Sequence, residues 1–397
     1  MDFIHAGVKS DPMIKSRKVL NEASKWDLSA ENSRYFPSVD LNSIAAHNYR
    51  FDTKNNANTI DISLTLTQPL FDKSIGAGIK IAKSKYDLDK LAYKLALQES
   101  IKSIINNYLT ALELQKILKN ILIQKDFIEE HLLISEKKNQ LGRTTSIDVD
   151  LVRARQKTVQ ANLMLAQEDY QTAVRQLELS SNLQIKNKLN APNIKFEAKD
   201  FKDLEGIIAK HPQSLILEAR AQLELASVNQ EKAKSYPRIG AFASLESTQL
   251  DLDRRRGAIG LQLDYDIYQG GRVNSRTESA ILRAQSSQIL HNNFNKKSTS
   301  LLKLALDKYQ FALKHKNIVA QANSAYMKIL QNRKIQFKVG SVSTTEVLQA
   351  QEVLFDSAQK LSEITIKQAN TAIEILAISG MLNLRKLKKY LGHGKEQ

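Results

Sequence analysis

Two stretches of this chain, Ile79 to Leu141 and Arg272 to Val339, contain neither glycine nor proline. Runs of that length argue against a compact fold of short elements, because nothing in them stops a helix. At helical rise each reaches roughly 95–100 Å. Apolar positions step by threes and fours, as in Ile101, Ile104/Ile105, Tyr108 and Leu112, which is the stripe one helix packs on another. Each run stops at a lone glycine, Gly142 or Gly340, and helical pattern resumes through Ser146 to Leu179 and Thr344 to Ser379. The expected element is an antiparallel helical hairpin, made twice.

The prolines show that the doubling covers the whole chain. Pro12 and Pro37 are 25 residues apart, and so are Pro212 and Pro237, at an offset of 200. Tyr108 with Ala111-Leu112 matches Tyr309 with Ala312-Leu313 at 201, and Leu141-Gly142 matches Val339-Gly340 at 198. Such a constant period marks an internal repeat. The first repeat spans 1–190, with a helix, strands at 37–50 and 59–70, and long helices at 73–141 and 146–185. A linker at 191–203 holds Pro192. The second repeat spans 204–397, with a helix, strands at 238–250 and 258–268, long helices at 272–339 and 344–380, and a basic C-terminal tail. The helix-like stretch that opens each copy, Met13 to Tyr35 and Gln213 to Tyr236, runs to a proline. Trp26, the lone tryptophan, reads as a core residue of the first of these.

Between the opening helix and the hairpin, each copy alternates apolar and polar residues. Ile60, Ile62, Leu64 and Leu66 interleave with Asp61, Ser63, Thr65 and Thr67; Ile259, Leu261, Leu263, Tyr265 and Ile267 interleave with Gly260, Gln262, Asp264 and Asp266. Val39, Leu41 and Ala45, and Ile239, Ala241, Ala243 and Leu245, are weaker partners. Segments of about ten residues with one apolar and one polar face are the pattern of transmembrane β-strands. Four strands cannot close a barrel, and open edges in lipid are forbidden energetically. The barrel reading therefore requires an oligomer whose strand number is a multiple of four.

Composition narrows the function. There is no cysteine, so disulfides and thiolate chemistry are excluded, and the seven histidines never pair at ligand spacing, so no metal or other cofactor is expected. The net charge of +16 is spread among acids and amides along the chain, which suits solvated helix faces and contact with anionic lipid better than a nucleic-acid surface. No run of eighteen apolar residues exists to make a membrane helix. Met1 to Pro12 has no apolar leader core, so the numbering is expected to begin after processing or at a downstream start. No phosphate loop or nucleophile motif supports catalysis. Two rival readings remain, a periplasmic adaptor and a soluble coiled-coil scaffold. An adaptor would nest a β domain in one hairpin, and a scaffold would have no use for four amphipathic strands.

The segment Leu66-Thr67-Gln68-Pro69-Leu70-Phe71-Asp72 and its counterpart Tyr265-Asp266-Ile267-Tyr268-Gln269-Gly270-Gly271 resemble the strand-to-helix entries of the TolC family of outer-membrane efflux and secretion ducts. The stretches Gly142 through Ser146-Ile147-Asp148-Val149, and Phe337-Lys338-Val339-Gly340-Ser341 through Thr345-Glu346-Val347-Leu348-Gln349-Ala350, are similar to its two hairpin tips. The resemblance covers essentially the whole chain. It implies a mainly α fold with a membrane β-barrel part: a homotrimer with a twelve-stranded barrel and a helical tunnel, in outer-membrane lipid. Its implied partners are a periplasmic adaptor protein and an inner-membrane transporter.

The resemblance also assigns sites. Gly142 and Gly340 become the hairpin tips, and Asp148 and Glu346 become acids ringing the periplasmic gate. Phe337 sits where the family tends to carry an aromatic near that gate, although helix packing is an equal reading. Gln349 stands where the family has a second acid. Thr145-x-x-Asp148 and Ser343-x-x-Glu346 both have capping-box form, so capping is the plainer role of both acids. Threefold symmetry would set like charges close enough to raise one another's pKa. Arg254, Arg255 and Arg256 are expected on an outer loop facing phosphorylated lipid.

Overall fold

The computed structural model describes residues 2–48, 57–185, 188–190, 201–248, 255–384 and 387. The elements run α1 (Asp2–Ser10), α2 (Pro12–Ser33), β1 (Ser38–Asn48), β2 (Ala57–Phe71), α3 (Lys73–Gln140), α4 (Ser146–Ser181), α5 (Leu204–Ala209), α6 (Pro212–Ala233), β3 (Arg238–Thr248), β4 (Arg255–Asp264), α7 (Arg272–Val339) and α8 (Thr344–Ile378). The fold is mainly helical with one small sheet, and the duplication is visible element by element. α2 and α6 are both 22 residues and both begin at proline, where the missing N–H is unneeded and φ is already helical. β1 and β3 are both 11 residues. α3 and α7 are both 68 residues. Part of the linker, 191–200, and most of the basic tail lie outside the described residues.

Contacts divide the chain into two compact units that cut across the repeats. The strand unit takes residues 16–93 and 212–294, and the hairpin unit takes 1–15, 94–211 and 295–397. Each draws equivalent segments from both copies.

In the strand unit the four strands form an antiparallel meander, β1-β2-β3-β4, so β1 and β4 are its two edges. Register carries the alternation across all four. Val39, Leu66, Ala243 and Ile259 form one row, and Asn42, Ser63, Glu246 and Arg256 form another on the opposite face. The apolar face is bare: Leu41 is 73% exposed, Ile259 90% and Leu261 73%. Pro69 is tolerated inside β2 because β1 stops pairing at Thr67, leaving that end of β2 as a local edge.

Several expectations are corrected in this unit. β4 ends at Asp264, not 268, because Asp264 pairs with Arg238 and Pro237 cannot extend the partner strand. Tyr265 and Ile267 are therefore outside the sheet. Arg255 and Arg256 belong to β4 and not to a loop, paired in register with Ser247 and Glu246. Opposite charges across the strands at Glu246 and Arg256 favour that extension. Arg254 lies outside the described residues. Trp26 is 74% exposed and is no core residue. The packed face of α2 carries Ser24, which donates to Asp89 of α3, and Trp26 sits two positions on, roughly 200° round the helix.

The hairpin unit supplies the larger core. Ile101, Ile104, Ile105 and Leu112 of α3 are at most 6% exposed, and Val152 and Leu177 of α4, Leu302 of α7 and Ile375 and Leu376 of α8 are fully buried. α1, which the sequence reading missed, packs on α4 through Gly7. A Cβ at Gly7 would come within 2.7 Å of the Ser180 carbonyl oxygen, so only glycine permits that approach.

Candidate functional site at the hairpin tips

Each long hairpin in the hairpin unit turns through the same sequence of backbone steps. Gly142 has φ 66° and Gly340 φ 87°, left-handed values that strain any side chain. Behind each glycine the helix end is closed by a six-to-one bond, Arg143 N–H to the Lys138 carbonyl (2.8 Å) and Ser341 N–H to the Gln336 carbonyl (2.9 Å). This satisfies carbonyls that a helix end leaves orphaned.

The next helices start with reciprocal caps. Thr145 Oγ1 accepts from Asp148 N–H (3.2 Å), and Asp148 Oδ2 accepts from Thr145 N–H (3.2 Å), Thr145 Oγ1 (2.7 Å) and Thr144 Oγ1 (2.8 Å). Ser343 and Glu346 repeat this, with Ser343 N–H donating to Glu346 Oε2 at 2.8 Å and Glu346 N–H to Ser343 Oγ at 3.3 Å. Capping is thus an observed role of both acids. The bonds also fix their charge. The Thr145 hydroxyl, then that of Thr144, holds Asp148 below the ordinary carboxylate range. For Glu346 the Ser343 backbone N–H does most of this, with the Ser343 hydroxyl and Arg333 adding to it. Within the protomer the shift therefore runs opposite to the mutual raising expected of a ring.

Other side chains lace the helices near the tips. Arg333 of α7 reaches Glu346 of α8 at 3.3 Å, Lys334 of α7 reaches Glu130 of α3 at 2.8 Å, and Arg153 of α4 reaches Glu136 of α3 at 2.9 Å. Arg155 of α4 meets Glu352 of α8 at 3.2 Å. All are at least partly open to solvent, so each contributes about 0–1 kcal/mol; their value is in fixing which helix faces which. Sequence reasoning missed them because they join residues on different helices. Phe337 is 4% exposed and packs with Phe127, Leu330 and Val347, so in the protomer it is a packing residue. Gln349 is exposed on the first turns of α8. Among the described residues no group of three or more His, Cys, Asp or Glu could hold a metal ion, and no helix is long and apolar enough to cross a membrane.

The caps give a test. Thr145→Ala and Ser343→Ala should each destabilise the hairpin by about 0.5–2 kcal/mol at pH 7. A carboxylate whose folded pKa is depressed stabilises above its unfolded pKa and loses that contribution as pH falls through the folded one. Both substitutions should therefore cost less at pH 3 than at pH 7, measured as the shift in the thermal transition of the helical circular dichroism signal. An equal cost at both pH values would mean the caps do not depend on ionised acids.

Comparison with known proteins agrees with this architecture. The family described as outer membrane efflux protein matches the chain twice, over residues 8–182 and 207–381. Outer membrane protein TolC of Escherichia coli (strain K12) is 22% identical over 400 residues, covering 95% of this chain and 81% of that protein. Alkaline protease secretion protein AprF of Pseudomonas aeruginosa is 22% identical over 317 residues, covering 76% of this chain and 65% of that one. The crystal structure of the outer membrane protein VceC of Vibrio cholerae superposes with a TM-score of 0.84 at 16% identity, covering 95% of each chain. Two successive matches to one family, on a chain whose repeat is visible in every element, decide the assignment: the protein belongs to the outer membrane efflux protein family and is an outer-membrane export channel for efflux or secretion, not an enzyme.

Proposed function

We propose that three copies join through the free edges of β1 and β4 into a closed twelve-stranded barrel. The four long helices of each copy, α3, α4, α7 and α8, then supply twelve helices to the wall of a periplasmic tunnel. The observation that supports this most directly is the four-stranded sheet with two unpaired edges and a bare apolar face. Unpaired backbone groups in hydrocarbon cost several kcal/mol each, so the edges must find partners in other copies. Two copies would give about eight strands, an interior that side chains fill, whereas a larger barrel opens a passage. The row of Asn42, Ser63, Glu246 and Arg256 would face that passage, and the row of Val39, Leu66, Ala243 and Ile259 would face lipid. Energy for export would come from an inner-membrane transporter joined to the tunnel by a periplasmic adaptor. The repeats 1–190 and 204–397 are, in this reading, the units whose alternation builds the wall.

Purified in detergent, the protein should have a protein mass near three times 44.8 kDa, measured by light scattering with the micelle subtracted. A stable monomer free of detergent would contradict the barrel, since four strands cannot close alone.

The tips, in the same reading, meet around the threefold axis as the gate. Glu346 gives one ring of acids and Asp148 a second, while Gln349 leaves out a further acidic position. Arg333 compensates Glu346 in part. The narrowest point dominates selectivity, so the mouth should prefer cations although the whole chain is basic. In planar bilayers Glu346→Gln should lower cation preference, Asp148→Asn should lower it less, and Arg333→Gln should raise it, read from reversal potentials. Unchanged selectivity in the double Asp148→Asn, Glu346→Gln protein would leave both acids as caps alone.

A further inference from the structure

One buried titratable group near the tips is used by neither the caps nor the ion pairs. His131 of α3 is 3% exposed, with its ring centroid 6.0 Å from that of Phe127 and 4.7 Å from that of Phe337. Its Nε2 is buried without a hydrogen-bond partner. Two more buried side chains of the same unit have unpartnered atoms, Ser135 four positions on along α3 and Gln351 four positions beyond Val347 on α8. Buried polar atoms normally find partners, and leaving one unpaired costs stability. The packing here is therefore less secure than its apolar residues alone would make it.

The charges around His131 oppose a proton on it. From its own helix come Glu130 and Lys138, and from α7 come Lys334 and Lys338. Lys138 Nζ lies 3.7 Å from the centre of the Phe337 ring and donates to the Phe337 carbonyl. Lys334 Nζ lies 4.5 Å from the centre of the Phe127 ring and pairs with Glu130. From α8 the facing residue is Val347, while Glu346 turns its carboxylate to Ser343 and Arg333. Three lysines and one acid thus surround an imidazole that water does not reach.

We propose that His131 is an acid-sensitive latch on the hairpin tips. Neutral, it lets α3, α7 and α8 pack around Phe127, Phe337 and Val347; protonated, it drives that packing apart. Burial, reinforced by Lys334 and Lys138, lowers the histidine from 6.5 to about 4 in the packed state. A histidine with a depressed pKa takes up more protons when the packing is open. The packed state therefore has its full stability above pH 6.5 and loses it as pH falls toward 4. Between pH 7.5 and pH 5 the balance should move toward the open packing by roughly 30-fold. Glu130 and the two capping acids are held below the ordinary carboxylate range, so none of these neighbouring acids accounts for this window.

The link from latch to gate rests on the reading of the tips as the channel mouth, and the test separates the two. Amide hydrogen exchange of residues 122–140 in the reconstituted wild-type trimer, corrected for the intrinsic effect of pH, should show protection falling roughly 30-fold from pH 7.5 to pH 5. In His131→Phe, which keeps a ring and cannot titrate, the change should stay within about threefold. His131→Gln serves the same purpose if the phenylalanine variant fails to form trimers. Open probability in planar bilayers should follow the same curve in wild type and stay flat in both variants. An acid response as large in the variants as in wild type overturns the latch. Histidine-dependent exchange in trimers that never conduct would uphold the latch and overturn the mouth.

Discussion

A backbone N–H or C=O in hydrocarbon has no water to turn to, and the proposed assembly rests on that constraint. The meander pairs its strands along their inner edges, except where β2 runs past Thr67 beyond the end of β1, and leaves β1 and β4 as outer edges. Its apolar rows, Val39 to Ile259 among them, are left exposed among the described residues. A soluble sheet would bury one face and mask its edges with charge, short strands or a covering helix. This one leaves its apolar face bare and, among the described residues, both edges without a partner, which is what the proposed closed assembly in lipid would resolve. The duplication serves the same end, because each copy contributes one pair of strands and one long hairpin in the same order.

At the tips the controlling chemistry is polar and local. A left-handed glycine, a hydroxyl cap and an acid three residues later recur at Gly142, Thr145 and Asp148 and at Gly340, Ser343 and Glu346. Those bonds hold both acids ionised and pin the turn. Behind the turn the packing changes character. Phe127, Phe337 and Val347 are buried together, yet His131 sits among them with an unpaired nitrogen. A stiff turn thus stands ahead of a less secure packing layer, the arrangement on which the proposed gate depends.

Much of this is legible in the sequence, because the signals are local or periodic. The helices follow from stretches without glycine or proline, the repeat from proline spacing, and the caps from a hydroxyl residue followed three later by an acid. What escapes is decided between distant segments. β4 stops at Asp264 because Pro237 ends its partner, which the alternation of Tyr265 and Ile267 could not reveal. Trp26 is apolar but lies off the packed face of α2. The pairing of Arg333 with Glu346 spans a turn between two helices and has no periodic signature. Phe127 and His131, four apart on α3, share a helix face, a spacing that offered a signal for the buried histidine.

The claim on which everything rests is that β1 of one copy pairs with β4 of another. Within one chain these strands are three strand spacings apart, roughly 14 Å, beyond the reach of a disulfide, which needs Cα atoms within about 7 Å. The chain has no cysteine of its own. A protein with one cysteine in β1, at Leu41, and a second moved residue by residue along β4 from Arg256 to Asp264 therefore reports only pairing between copies. Oxidation in outer membranes should give covalent dimers and trimers at one or two neighbouring positions and nothing elsewhere. Monomers alone at every position would contradict the account.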